Sequence, residues 1–212
     1  MKETEQIADQ LRRAMQGEAW SGPSLREALA GVTAEQAAAR PIVGAHSIWE
    51  LVLHIAAWEA IALRRLRGET VKDIPAEVDW PPVGDTSEAA RQRAPSDETV
   101  KDVRAEVDWP PVSETRETAW QSTLGRETVK DARSEVSWPP VGETKEATWQ
   151  RALAALEDGN RKLRDAIAQM PDERLRERVP GKEHSFYGEL HGVVQHDLYH
   201  AGQIILLKKA AG

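Results

Sequence analysis

Two histidines four residues apart, His196 and His200 in the run HDLYH, and a third, His54 in ELVLHIAAWE, have the type and spacing for metal chemistry. On a helix, positions i and i+4 project from one face on successive turns, as chelation of a single ion by two imidazoles requires. All three lie within or beside apolar stripes, His54 among Leu51, Trp58 and Ile61. A buried neutral imidazole needs partners for both ring nitrogens, and three of them in a core are costly unless they share one. A divalent metal ion is such a shared partner. Three neutral ligands leave its charge undiminished and its remaining coordination positions free, the arrangement of a catalytic rather than a closed structural site. The competing reading is three unrelated core histidines, each satisfied by its own hydrogen bonds. Imidazoles alone do not choose the metal, since zinc, nickel, iron and manganese all accept them.

The neighbouring residues narrow the chemistry. Asp197 follows His196 where a zinc protease of the HExxH type has its glutamate base, which argues against peptidase chemistry. Gln203 stands three residues beyond His200 and seven beyond His196, so it continues the same stripe. Its two readings are an outer partner that orients a ligand or touches a metal-bound water, and a helix-packing hydrogen bond. Glu50, one turn before His54, is assigned to helix capping. Asp197 and Tyr199 are either outer partners of the ligands or surface residues. His46, His184 and His191 lack the shared spacing and are taken as structural. The chain has no cysteine, which excludes disulfides, thiolate ligands and a cysteine nucleophile, so any thiol chemistry must draw on an external thiol. A formal net charge of −7, with acids and bases interspersed, gives no basic footprint for nucleic-acid phosphates or anionic lipid. The N-terminal MKETEQIADQ is charged, and the most apolar stretch, IWELVLHIAAWEAIAL, is interrupted by charge and histidine. The expected compartment is therefore the cytoplasm, with no membrane partner.

Helices must position these side chains. One phenylalanine and two tyrosines stand against eight tryptophans, and alanine, leucine, glutamate and arginine fill the periodic segments, a composition that favours helix over sheet. Ile7, Leu11, Ala14 and Met15 predict a first helix over about 3–16, stopped by Gly17. Ser24 with Glu27, and Thr33 with Gln36, are capping boxes that open two short helices. Ser47 with Glu50 opens helix two, whose stripe runs through Ile48, Leu51, Val52, Ile55, Ala62 and Leu66 to a stop near Gly68. Helix three is predicted over 144–170 through Trp149, Leu153, Leu156, Leu163 and Ile167, ended by Pro171 and weakened but not broken at Gly159 and Asn160. Helix four, about 186–210, carries Leu190, Val194, Leu198, Ala201 and Ile205 on one line, an apolar face wide enough for a bundle core.

Between helices two and three lies a tandem repeat. ETVKD begins at Glu69, Glu98 and Glu127, and WPPV at Trp80, Trp109 and Trp138, so three copies (69–97, 98–126 and 127–155) follow one another without an insertion. Each copy offers too little apolar surface for a stacked solenoid, and Pro95 breaks the helical half of copy one. The expectation is a single domain over 1–212 in which copies one and two form mainly an irregular surface excursion. WPPV reads as a crossover whose tryptophan plugs the bundle side, ahead of a polyproline segment displayed to a partner.

SIWELVLHIAAWE and HGVVQHDLYHAGQIILLKKA together resemble the two signature segments of the DinB-like superfamily, and the resemblance covers the chain except the extra repeat copies. It implies an all-α four-helix bundle, often dimeric, that binds zinc or nickel through a histidine on helix two and an HxxxH pair on helix four, here His54, His196 and His200. Better-known relatives are thiol-dependent transferases and isomerases. The resemblance thus implies a transferase that activates a low-molecular-weight thiol for attack on a small electrophilic substrate. A metal hydrolase of a small substrate and a non-catalytic binding protein using its WPPV repeats are the alternatives.

Overall fold

Each helix start marked by a capping box in the sequence is a helix start in the computed structural model, which describes residues 2–81, 83 and 146–211, all of them in one compact unit. Helix α1 is Glu3–Gln16, and α2 (Leu25–Leu29) and α3 (Ala34–Ala38) are the two short turns. Ile48–Leu66 forms α4, capped by Ser47, whose hydroxyl accepts from the Glu50 amide while the Glu50 carboxylate accepts from the Ser47 amide. That reciprocal pair satisfies two amides that a helix start leaves without partners. After a one-turn helix, α5 (Ala76–Asp79), the described chain resumes with α6 (Glu146–Gln169), a 3₁₀ turn over Asp172–Arg176, and α7 (Phe186–Ala210). The protein is all-α. Among the described residues the only extended pairing is a single bridge between Arg178 and Ser185, and none of the helices is long and apolar enough to cross a membrane.

Among the described residues the long helices are α1, α4, α6 and α7, and α1 and α4 each pack against both α6 and α7. Two apolar clusters fill the space between them. One joins α2, α3 and the first half of α4 to Trp149, Leu156 and the end of α7; the other joins α1 and the end of α4 to Leu163, Ile167, Phe186 and Leu190. Where the clusters meet, at the mid-lengths of α4, α6 and α7, the buried residues are polar: His54, Glu59, Asn160, Asp197 and His200. At roughly 25 cal/mol per Å² the apolar clusters supply the drive to fold, and the polar layer must be matched group by group because an unsatisfied buried polar atom costs about 1–3 kcal/mol.

Of the first repeat copy, residues 69–81 and 83 are described. Residues 69–81 pack along α4: Val71 is buried, and its carbonyl accepts from the Arg65 guanidinium. Gly181, at φ 77°, turns the chain tightly against this strap, and a Cβ there would come within 2.8 Å of the Lys72 side chain. This described stretch is held because the carbonyls of Val71 and Asp79 find donors on α4, a signal the hydrophobic pattern does not carry. Residues 82 and 84–97 of copy one, all of copy two, and copy three as far as residue 145 lie outside the described residues, as does the expected start of helix three at Thr144.

Candidate metal centre

His54 lies near the middle of α4, and His196 and His200 lie one turn apart on α7. The packing of α4 on α7 brings them together: Nε2 of His196 is 3.0 Å from Nε2 of His54 and 3.0 Å from Nε2 of His200. The three nitrogens all lie within 4.8 Å of one another, so the group could hold a metal ion. His54 and His200 are buried and His196 is partly exposed. This is the trio that the sequence singles out.

The outer nitrogens decide which tautomers point inward. Nδ1 of His54 lies 2.6 Å from the backbone carbonyl of Asp79, an acceptor only, so Nδ1 carries the proton and Nε2 presents a lone pair. Nδ1 of His200 lies 2.6 Å from Oε1 of Gln203, whose amide nitrogen donates to the Tyr199 hydroxyl at 3.0 Å. With the Gln203 oxygen as acceptor, His200 Nδ1 donates and its bare Nε2 turns inward. Two lone pairs converge on the His196 Nε2, which offers at most one proton between them. A donor set of this kind fits a cation, and a ligating histidine tied through its second nitrogen is the arrangement that orients a metal ligand. Gln203 thus bonds the outer nitrogen of His200.

Charge runs the same way. Burial, followed by the neighbouring His54, lowers His196 to about 4, and burial together with His196 lowers His200 to about 4. Both imidazoles are neutral at pH 7 and ready to bind a cation without first losing a proton.

Copy one of the repeat supplies residues that the sequence reading did not place here. The Asp79 carboxylate accepts from Trp58 Nε1 at 2.7 Å and lies 3.2 Å from His54 Nδ1. Burial acts to raise this acid, but the bonds to His54 and Trp58 outweigh it and hold the group below its ordinary range. The Trp80 ring stacks on His54 at 3.9 Å and on His46 at 3.4 Å, so the tryptophan does seal the bundle side, over the histidine cluster itself. His46, taken as structural, is one outer layer of that stack. His184 bonds Glu189 and His191 packs on Tyr187, and neither joins the trio. Glu50 keeps its capping role and accepts from Arg40; burial opposes ionisation, but His46, Ser47 and Arg40 lower it to about 2.

Asp197 resolves as a core residue, fully buried opposite Glu59 on α4. Burial raises both acids, Asp197 to about 8 and Glu59 well above the carboxylate range. Among the described residues neither Asp197 oxygen has a partner when both groups are ionised, and a proton retained by the pair supplies one. Oδ1 of Asp197 is 3.7 Å from Nδ1 of His196, the one outer nitrogen of the trio without a hydrogen bond among the described residues.

A family model described as the DinB superfamily matches residues 19–204, which take in all three histidines and the Asp79–Trp80 pair. The chain belongs to the DinB superfamily. As a DinB member it has the helical architecture and the histidine group expected from its two signature segments. No curated protein and no solved structure matches the chain.

Proposed function

We propose that this DinB-superfamily chain is a metal-dependent transferase that joins an external low-molecular-weight thiol to a small electrophile, with zinc or nickel held by His54, His196 and His200. The observation that carries the reading is the convergence of three imidazole nitrogens, two with their protons fixed on the far side, at one point between α4 and α7. When bound, a divalent ion with open positions supplies a Lewis-acidic centre that favours the thiolate form of a thiol at neutral pH. The chain's own residues do the rest. Asp79 and Gln203 hold two of the imidazoles in the ligating tautomer, and Trp80 covers one face of His54.

Elemental analysis of protein purified without an affinity tag, followed by a thiol-conjugation assay on native protein and on His196→Ala, tests the reading. About one equivalent of zinc or nickel and conjugation that disappears in the variant are expected. Metal-free native protein, or conjugation that survives the substitution, refutes it.

A further inference from the structure

A cavity of about 230 Å³ opens beside His196, lined by Trp58, Ala62 and Val193, by Gly192 at its rim, and at its far end by Arg65, Glu189 and His184. It adjoins the histidine trio directly, because the ring of His196 belongs to both. Two charged residues line it, and both are already committed. Arg65 gives Nε and Nη2 to the Val71 carbonyl and Nη1 to Glu189 at 3.2 Å. The same Glu189 oxygen lies 2.9 Å from His184 Nε2, and the second Glu189 oxygen is sealed from solvent. The guanidinium and the carboxylate therefore cancel each other, and a charged guest would be desolvated without a counter-charge. What the cavity presents to a guest is an indole, an alanine and valine wall, and the aliphatic stem of Arg65.

We infer that this cavity receives the uncharged apolar group of the electrophilic substrate, a phenyl or branched alkyl substituent, and places the reacting atom next to the histidine trio. The inference rests on the metal reading of that trio and adds the substrate class to it. The volume admits about eight non-hydrogen atoms at roughly 30 Å³ each, below the usual 300–1,000 Å³ of sites for drug-sized ligands, so the group is of fragment size. A low-molecular-weight thiol bearing carboxylates or an ammonium group finds no free counter-charge here and approaches the trio from elsewhere.

Full-length protein, metal-free and metal-loaded, is titrated with benzyl alcohol, benzylammonium and benzoate, and binding is followed by NMR. On metal-free protein, benzyl alcohol is expected to bind about tenfold or more tightly than either ion. A Cβ on Gly192 would meet no atom within 4 Å, so the backbone there accepts a side chain, and Gly192→Leu adds bulk beside the cavity. It is expected to weaken benzyl alcohol at least about tenfold while metal content and Tm are kept, with Gly192→Ala intermediate. Equal affinity for the three fragments, or benzyl alcohol binding indifferent to Gly192→Leu, overturns the inference. Failure of the metal reading shows separately, as native protein that retains no metal, because the fragment preference is read with the metal absent.

Discussion

The depressed basicity of His196 and His200 makes the acid limit of metal binding a quantitative matter. Metal and proton compete for the same lone pair, so the affinity of each ligand scales with its deprotonated fraction. For an imidazole of ordinary pKa 6.5, that fraction falls about eightfold between pH 7 and pH 5.5, and two such ligands together lose roughly seventyfold, or about 2.5 kcal/mol. With both residues at about 4, the same acidification removes only about 3% from each, and the pair contributes almost no pH dependence in this range. Calorimetric titration of metal-free protein with zinc at pH 7.0 and pH 5.5 measures the difference. Repeating it at pH 6.5 in buffers of different ionisation enthalpy counts the protons released. Two ordinary imidazoles would release about one proton there, whereas His196 and His200 should release close to none. Any single ligand of ordinary pKa accounts for only about an eightfold loss. A seventyfold loss at pH 5.5, with about one proton released at pH 6.5, would show that burial does not hold these two rings neutral.

Three further outcomes follow from the same geometry. Gln203→Ala leaves His200 Nδ1 without its acceptor and should weaken metal binding about 10- to 100-fold with unchanged helix content by circular dichroism, while Gln203→Glu retains an acceptor and most of the affinity. In the metal-free protein the histidines should cost stability as pH falls from 6.5 toward 4, where the unfolded chain takes up protons that His196 and His200 refuse, and the Glu59–Asp197 pair should cost stability as pH rises from about 4 to about 8, where the unfolded acids are ionised while the buried pair keeps its proton. The two effects oppose each other below pH 6.5, so in chemical denaturation Glu59→Gln should flatten the loss above pH 6.5 and steepen the loss below it. Deleting residues 69–126 brings Ser137–Trp138 into the register of Asp79–Trp80, with a backbone carbonyl and an indole in the same sequence positions, so cooperative thermal unfolding and metal binding should both survive.

The parts of the site legible in the sequence are those with a period. Helical spacing put His196 and His200 on one face, apolar stripes turned that face and His54 toward the core, and the Ser47–Glu50 box placed the start of α4 where it is. The Asp79–Trp80 contribution had no such signal. Asp79 meets His54 across 25 residues from a one-turn helix, chiefly through a main-chain carbonyl that any residue type would supply. The buried acids did leave a trace. Glu59 falls on the line from Ile55 to Ala62, Asn160 on the line from Leu156 to Leu163, and Asp197 on the line from Val194 to Ala201, each a polar residue where the stripe calls for an apolar one. A single such break is an exception to patterning, whereas breaks at matching heights on three packed helices mark one polar layer running through the core. Asn160 donates to Glu59, Glu59 faces Asp197, and Asp197 reaches toward the unpartnered nitrogen of His196, so the layer ends at the histidine trio and its cost to stability is borne beside the residues that hold the proposed metal.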